Sequence, residues 1–201
     1  MYQIQDISSM LAGEYTAPKA GDTIVDVCGA PGGKSINAAL KMSEQGDCGR
    51  VIARDLSDYK VALIDENIKR LNITNIQTQV YDALDCDESL INKADIVIAD
   101  LPCSGLGIIG RKPDIKYNAS PEKLQSLVDL QRDILKVVSR YVKSGGVLMY
   151  STCTINRAEN EDNADWICKE SGFTKDGEYH QLLPANNSGM DGFFVARLIK
   201  S

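Results

Sequence analysis

Along the chain, short apolar runs alternate with stretches in which apolar residues recur every three to four positions. Five runs are rich in Val and Ile and bounded by Gly, Asp or Asn: 23–28 (TIVDVC), 50–55 (RVIARD), 76–82 (IQTQVYD), 94–101 (ADIVIADL) and 146–152 (GVLMYST). Such runs suit strands covered on both faces of a parallel sheet. Between them the period is helical. From Ser57, the positions Val61, Ile64, Ile68 and Leu71 share one face, and Asn72 is a stop. A second helix is expected over 121–143: Ser120 is an N-cap, Pro121 suits the first turn, and Leu124, Leu127, Val128, Ile134, Leu135, Val138, Tyr141 and Val142 line one stripe that Gly145 and Gly146 end. A third is expected to start at Asn156, with Glu159 completing a capping box.

Strands alternating with helices predict an α/β, doubly wound, mostly parallel sheet with helices on both faces. The end departs from this pattern. Segments 173–183 and 191–200 are strand-like and have no helix between them, so they are expected to form a hairpin at the sheet's edge that contributes one antiparallel strand. Ligands of such sheets bind outside the carboxyl ends of the strands, where the strand order reverses.

Length and composition fit one globular domain: 201 residues, 43% hydrophobic and 25% charged. No apolar run approaches the roughly 20 residues that span a bilayer. The first ten residues, MYQIQDISSM, lack the basic and apolar regions of a signal peptide. A soluble, cytoplasmic protein without a membrane partner is the expectation, and a monomer. The net charge of −6 argues, taken alone, against a nucleic-acid partner. The six cysteines show no Cys-x-x-Cys spacing and His180 is the single histidine, so neither a metal site nor a disulfide framework is expected. Cys48, Cys86 and Cys168 read as packing residues, His180 as structural, and Trp166 as packing its helix.

The stretch DVCGAPGGKS (26–35) follows the first strand. A phosphate-binding loop needs Gly-x-x-x-x-Gly-Lys-Ser/Thr, but its first position falls on Cys28, and Pro31 removes one N–H from a loop whose task is to offer them. The Gly-x-Gly-x-x-Gly pattern fails at Pro31 too. Asp55, Asp82 and Asp100 end the second, third and fourth strands. Three carboxylates around one pocket would repel a triphosphate and suit an adenosyl cofactor bearing a positive centre.

DVCGAPGGKS followed by DLPCSG (100–105) and STCT (151–154) resembles the RNA (cytosine-5) methyltransferases of the RsmB/Sun type, most closely their bacterial 16S ribosomal RNA branch. Gln5-Asp6 with Ser8-Ser9-Met10, RKPDIKY (111–117) and DGFFVARLIK (191–200) extend the resemblance nearly end to end. It implies a Rossmann-like S-adenosylmethionine-dependent methyltransferase fold with a seven-stranded sheet, spanning 1–201 as one catalytic domain with 1–20 as a lead-in element. It also implies that Cys28, Gly29, Ala30, Pro31, Gly32, Gly33 and Lys34 wrap the methionine part of S-adenosylmethionine, that Asp55 holds its ribose, and that Asp82 lies by its adenine. Asp100 lies between cofactor and target base. Lys60, five residues after Asp55, is near enough in sequence to approach the cofactor. Gly29 and Ser35 stand where the family usually has Ala and Thr. The family's amino-terminal RNA-binding region has no counterpart in this chain, an absence that would account for the acidic balance.

The implied chemistry is covalent: a thiolate adds to carbon 6 of cytosine and makes carbon 5 nucleophilic. The family assigns that attack to the Thr-Cys cysteine, Cys153, and assistance in release to the Pro-Cys cysteine, Cys103. Asp100 would hydrogen-bond the base. The basic cluster Arg111, Lys112 and Lys116 beside Cys103, with Tyr117 for stacking, is a candidate RNA contact. Two other readings stay open on the sequence, a nucleotide-binding loop protein and an RNA-binding module without catalysis.

Overall fold

The computed structural model describes residues 7–46, 49–184 and 190–201. Its frame is one sheet. The five expected parallel strands are β1 (Thr23–Asp26), β2 (Arg50–Asp55), β3 (Ile76–Val80), β4 (Ala94–Asp100) and β5 (Val142–Thr152). The carboxy-terminal segments form β6 (Phe173–Lys175), β7 (His180–Leu182) and β8 (Phe193–Lys200). The order is β3-β2-β1-β4-β5-β8-β6, with β7 also on β8. β6 pairs with residues 198–200 and β7 with residues 193–195, so the two share one lane. The eight segments therefore fill seven lanes. β8 is antiparallel to β5, and the hairpin joins the sheet through this second strand.

Helices cover both faces because successive strand residues point opposite ways. Ile24, Ile96, Ile98 and Met149 pack under α1 (Ile7–Thr16) and α2 (Gly33–Glu44), through Ala12, Ala38, Ala39 and Met42. Val25, Val97, Ala99, Leu148 and Tyr150 pack under α5 (Pro121–Val138) and α6 (Glu161–Ser171). α3 (Asp58–Leu71) begins at the expected Ser57 cap and ends at Asn72, whose φ of 54° stops it. The short α4 (Ile115–Asn118) lies in the loop after β4. No helix among the described residues is long and apolar enough to cross a membrane.

Four local expectations are corrected. The helix after Pro121 ends at Val138, not at residue 143. The carbonyl of Tyr141 accepts the N–H groups of Lys93 and Ala94, so this stretch is bound to the strand layer and Val142 opens β5. Residues 143–146 then bulge out before pairing resumes at Val147 opposite Ile96. Asn156 caps only a 3₁₀ turn, Arg157–Glu159, and α6 starts at Glu161. Glu159 is fully buried and serves as an internal acceptor. The strand expected over 76–82 ends at Val80, and the one over 173–183 is broken at 176–179.

Candidate active site

The strand order reverses between β1 and β4, and the turn after β1 lies at that switch point. The Gly29 N–H is bonded to Arg54 O at 2.7 Å, and Gly32, at φ 103°, starts α2. The left-handed conformation at Gly32 favours glycine, and a Cβ there would come within 3.2 Å of Ile64. The Ala30–Pro31 peptide bond is cis. Beneath the turn, Asp26 is buried, accepts the Ser35 hydroxyl at 2.6 Å, and has its other oxygen unpaired. Burial pushes its carboxyl up to about 7, against the lowering effect of the Ser35 hydroxyl. The Cys28 thiol is pushed up by burial and then by the carboxylates of Asp26, Asp55 and Asp100, which keeps it protonated.

Asp55, at the end of β2, is buried and accepts the N–H groups of Ala30 at 3.0 Å and Leu56 at 2.8 Å, with Lys60 Nζ 3.0 Å from it. Asp55 and Asp82 line one cavity of about 140 Å³ with Cys28, Leu56, Tyr81 and Leu84. An apolar slot lined by two carboxylates, beside the glycine turn, fits an adenosine with a cationic tail. Tyr81, which the sequence reading passed over, stacks on the Arg54 guanidinium at 4.2 Å.

The side chain of Lys34 leaves the turn for β4. It is 8% exposed, and its Nζ meets Asp100 Oδ2 at 2.5 Å while lying 5.2 Å from the centre of the Phe193 ring. Ser151, which sits opposite Asp100 in the β4–β5 register, donates to Asp100 Oδ1 at 2.7 Å. Asp100 is thus held from two strands and a helix.

The structure brings Cys103 and Cys153 together from 50 positions apart: their sulfurs are 3.2 Å from each other. The Cys153 thiol is lowered, chiefly by its hydrogen bond with Cys103, while burial and Asp100 oppose and Lys34 adds a smaller lowering effect. Cys103 is raised, first by that same bond and then by burial. One thiol holds its proton so that the other can lose its own.

A buried polar network sets this distance. Glu159 accepts from Ser104 N–H at 2.8 Å, Gln131 Nε2 at 3.0 Å and Asn156 Nδ2 at 2.9 Å. Gln131 also donates to Pro102 O, and Ser104 and Thr154 share a hydroxyl contact at 2.7 Å. Residues on both sides of Cys103 are thereby tied to those following Cys153. Gly107 N–H bonds Cys153 O at 3.1 Å and Gly192 N–H bonds Gly107 O at 2.8 Å. A Cβ on Gly107 would stand 2.8 Å from Cys153 O.

The basic loop starts at this anchor. Arg111 pairs with Asp191 at 3.1 Å, Lys112 is exposed, and Lys116 lies over the exposed Tyr117 ring at 4.8 Å. Arg111 thus fastens the loop to the 191–192 segment. Cys86 and Cys168 pack against the core, as does Trp166 beneath Arg132 and Lys136. His180 stacks on Tyr15. Cys48, Gln5 and Asp6 lie outside the described residues.

A family model described as 16S rRNA methyltransferase RsmB/F matches residues 14–199. The chain is 38% identical to the probable ribosomal RNA small subunit methyltransferase B of Bacillus subtilis, over 98% of this chain and 47% of that one. It is 33% identical to the ribosomal RNA small subunit methyltransferase F of Escherichia coli O157:H7, over 100% of this chain and 45% of that one. The chain therefore spans about half the length of the curated relatives it matches. Among solved structures, the crystal structure of NSun6 from Pyrococcus horikoshii with SFG superposes with a TM-score of 0.85 at 28% identity, over 98% of this chain and 52% of that one. The resemblance drawn from the motifs agrees with these matches.

Proposed function

Because this chain belongs to the 16S rRNA methyltransferase RsmB/F family, we propose that it methylates carbon 5 of a cytosine in RNA, with 16S ribosomal RNA as substrate class and S-adenosylmethionine as cofactor. The observation that carries the reading is the pair of thiols 3.2 Å apart at the carboxyl ends of neighbouring strands. Carbon 5 of cytosine is a weak nucleophile, and a thiolate adding to carbon 6 pushes an electron pair toward it. Cys153, the Thr-Cys cysteine to which the family assigns the attack, is that nucleophile, and a proton held on Cys103 3.2 Å away stabilises its thiolate. Asp100, aimed by Lys34 and Ser151, faces the ring and hydrogen-bonds it. The turn at 28–34, Asp55 and Asp82 would hold S-adenosylmethionine, which would supply the methyl group for carbon 5.

The largest cause holding the proton on Cys103 is the Cys153 sulfur itself. Formation of the carbon–sulfur bond removes that cause. Once its proton has passed to solvent, the Cys103 thiolate can act as base toward the proton on carbon 5, and the electron pair of that C–H bond expels Cys153 from carbon 6. The target base reaches the thiols only when unpaired or flipped out.

Calorimetric titration with S-adenosylmethionine, with magnesium-ATP as control, tests the turn. RNA in which cytidine is replaced by 5-fluorocytidine tests the chemistry, because fluorine cannot leave as a cation and the adduct persists. The expected results are binding of S-adenosylmethionine alone and a slow-migrating adduct that vanishes in Cys153→Ala while cofactor binding stays. Turnover in Cys153→Ala would sink the mechanism. Binding of ATP alone would return the phosphate-loop reading.

A further inference from the structure

The pocket assigned to the cofactor is one of two that open on either side of Pro102 and Cys103. Both use α5 as a wall. Leu130 and Ile134, toward the end of the helix, line the cavity with Asp55 and Asp82. Leu124 and Leu127, one to two turns earlier, line a second cavity of about 220 Å³ whose inner end is Cys103 and Ser104. Ile115 closes its apolar side, and Asp114, Asn118 and Lys123 stand around it.

Cys153, Asp100 and Lys34 are absent from this second cavity's lining, as is the turn at 28–34. A ring filling it stands on the Cys103 side of the thiol pair, and not between the nucleophile and the cofactor turn where the reacting base belongs. It does touch the thiol next to that nucleophile, and it opens beside the loop that carries Lys112, Lys116 and the exposed Tyr117. An RNA strand that delivers a base to Cys153 must continue past Cys103 with the nucleotide next to it. Apolar walls that accept a ring face, with an amide, a carboxylate and an ammonium at the rim for ring edges and phosphate, are the chemistry of a single-stranded nucleotide subsite. Asn118 is the residue type that pairs with an adenine edge through two hydrogen bonds.

We propose that this cavity binds a nucleotide flanking the target cytosine and gives the enzyme its preference at one neighbouring position. The inference rests on the reading that the chain acts on RNA. The experiment uses short single-stranded RNAs with one cytosine and randomised neighbours, methylated by wild type, Leu127→Trp and Asn118→Ala, with products sequenced. Each flanking nucleotide is also replaced in turn by 4-thiouridine and photocrosslinked. The wild type is expected to show a preference at one flanking position, and a crosslink from that position alone to the 115–127 segment. Leu127→Trp fills the cavity and is expected to erase the preference and raise KM for RNA about tenfold, the scale of one lost base stack, with affinity for S-adenosylmethionine unchanged. Asn118→Ala, at an exposed position, is expected to relax the preference without that rise. Preference that survives both variants, or crosslinks that map elsewhere, would overturn the proposal. A wild type that crosslinks at 115–127 but neither methylates RNA nor forms the fluorocytidine adduct would keep the subsite and remove the catalytic reading.

Discussion

Two sulfurs 3.2 Å apart cannot titrate independently, and Cys103 and Cys153 share their protons as a pair. The hydrogen bond with Cys103 is the largest cause lowering Cys153. Replacing Cys103 by Ala is therefore expected to move the reactivity midpoint of Cys153 to higher pH, read as the iodoacetamide alkylation rate of the peptide containing Cys153. A midpoint that stays or falls would mean that Lys34 or the backbone activates the thiol instead. Asp26 provides the residue-scale test of stability. Its carboxyl titrates at about 7 in the fold, against about 3.9 when unfolded. The folded state thus binds the extra proton between those values, and stability falls as pH rises through that window, by up to about 4 kcal/mol, before levelling off above it. Asp26→Asn removes this slope. Urea denaturation of both proteins at pH 5 and pH 8 is expected to give a steeper loss for the wild type. Equal losses would mean that the unpaired oxygen of Asp26 is solvated.

At the scale of elements, Glu159 joins the loop after β4, helix α5 and the turn after β5 through three donors. Glu159→Gln keeps the shape but turns an NH₂ group toward one of those donors, and an unsatisfied buried polar pair costs about 1–3 kcal/mol. The expected outcome is that loss in urea denaturation, with the carboxyl ends of β4 and β5 loosened and adduct formation slowed. Unchanged stability would show that the network re-forms around the amide. The sequence carried the strands well, because Val/Ile runs ending in Asp at 55 and 100 have few other uses in an α/β chain. It also carried Ser57, Ser120 and Asn72, whose caps act locally. It did not carry Glu159, whose spacing from Asn156 mimics a capping box while its partners Ser104 and Gln131 are remote in the chain. Lys34 shows the same limit: the turn motif places its backbone, and its buried ammonium is met by a carboxylate remote in the chain, at Asp100. The end of α5 was overrun because Tyr141 and Val142 continue the apolar stripe, while backbone pairing to β4 decides their conformation. Contacts settled by partners far along the chain leave no periodic trace.

At the scale of the whole molecule, 22 basic and 28 acidic side chains leave a net charge of −6, an unfavourable field for a polyanion. On the proposed function, RNA binding by this chain would rest on few cations and on ring contacts. Arg111 is held by Asp191 and fastens the loop, which leaves Lys112, Lys116 and Lys123 as the cations on the loop and helix that frame the second cavity. Each phosphate neutralised on a single strand contributes about −0.7 to the slope of log K against log salt, so two or three contacts give a slope of about −1.5 to −2. Fluorescence anisotropy with a labelled single-stranded RNA between 50 and 200 mM salt measures it, these being ordinary working limits. Lys116→Ala is expected to flatten the slope by roughly one contact, while Tyr117→Ala weakens binding at every salt concentration without changing the slope, because stacking releases no counterions. A slope steeper than about −4 would require more cations than Lys112, Lys116 and Lys123. The same measurement on a longer chain that matches the length of the relatives would then show where those cations lie.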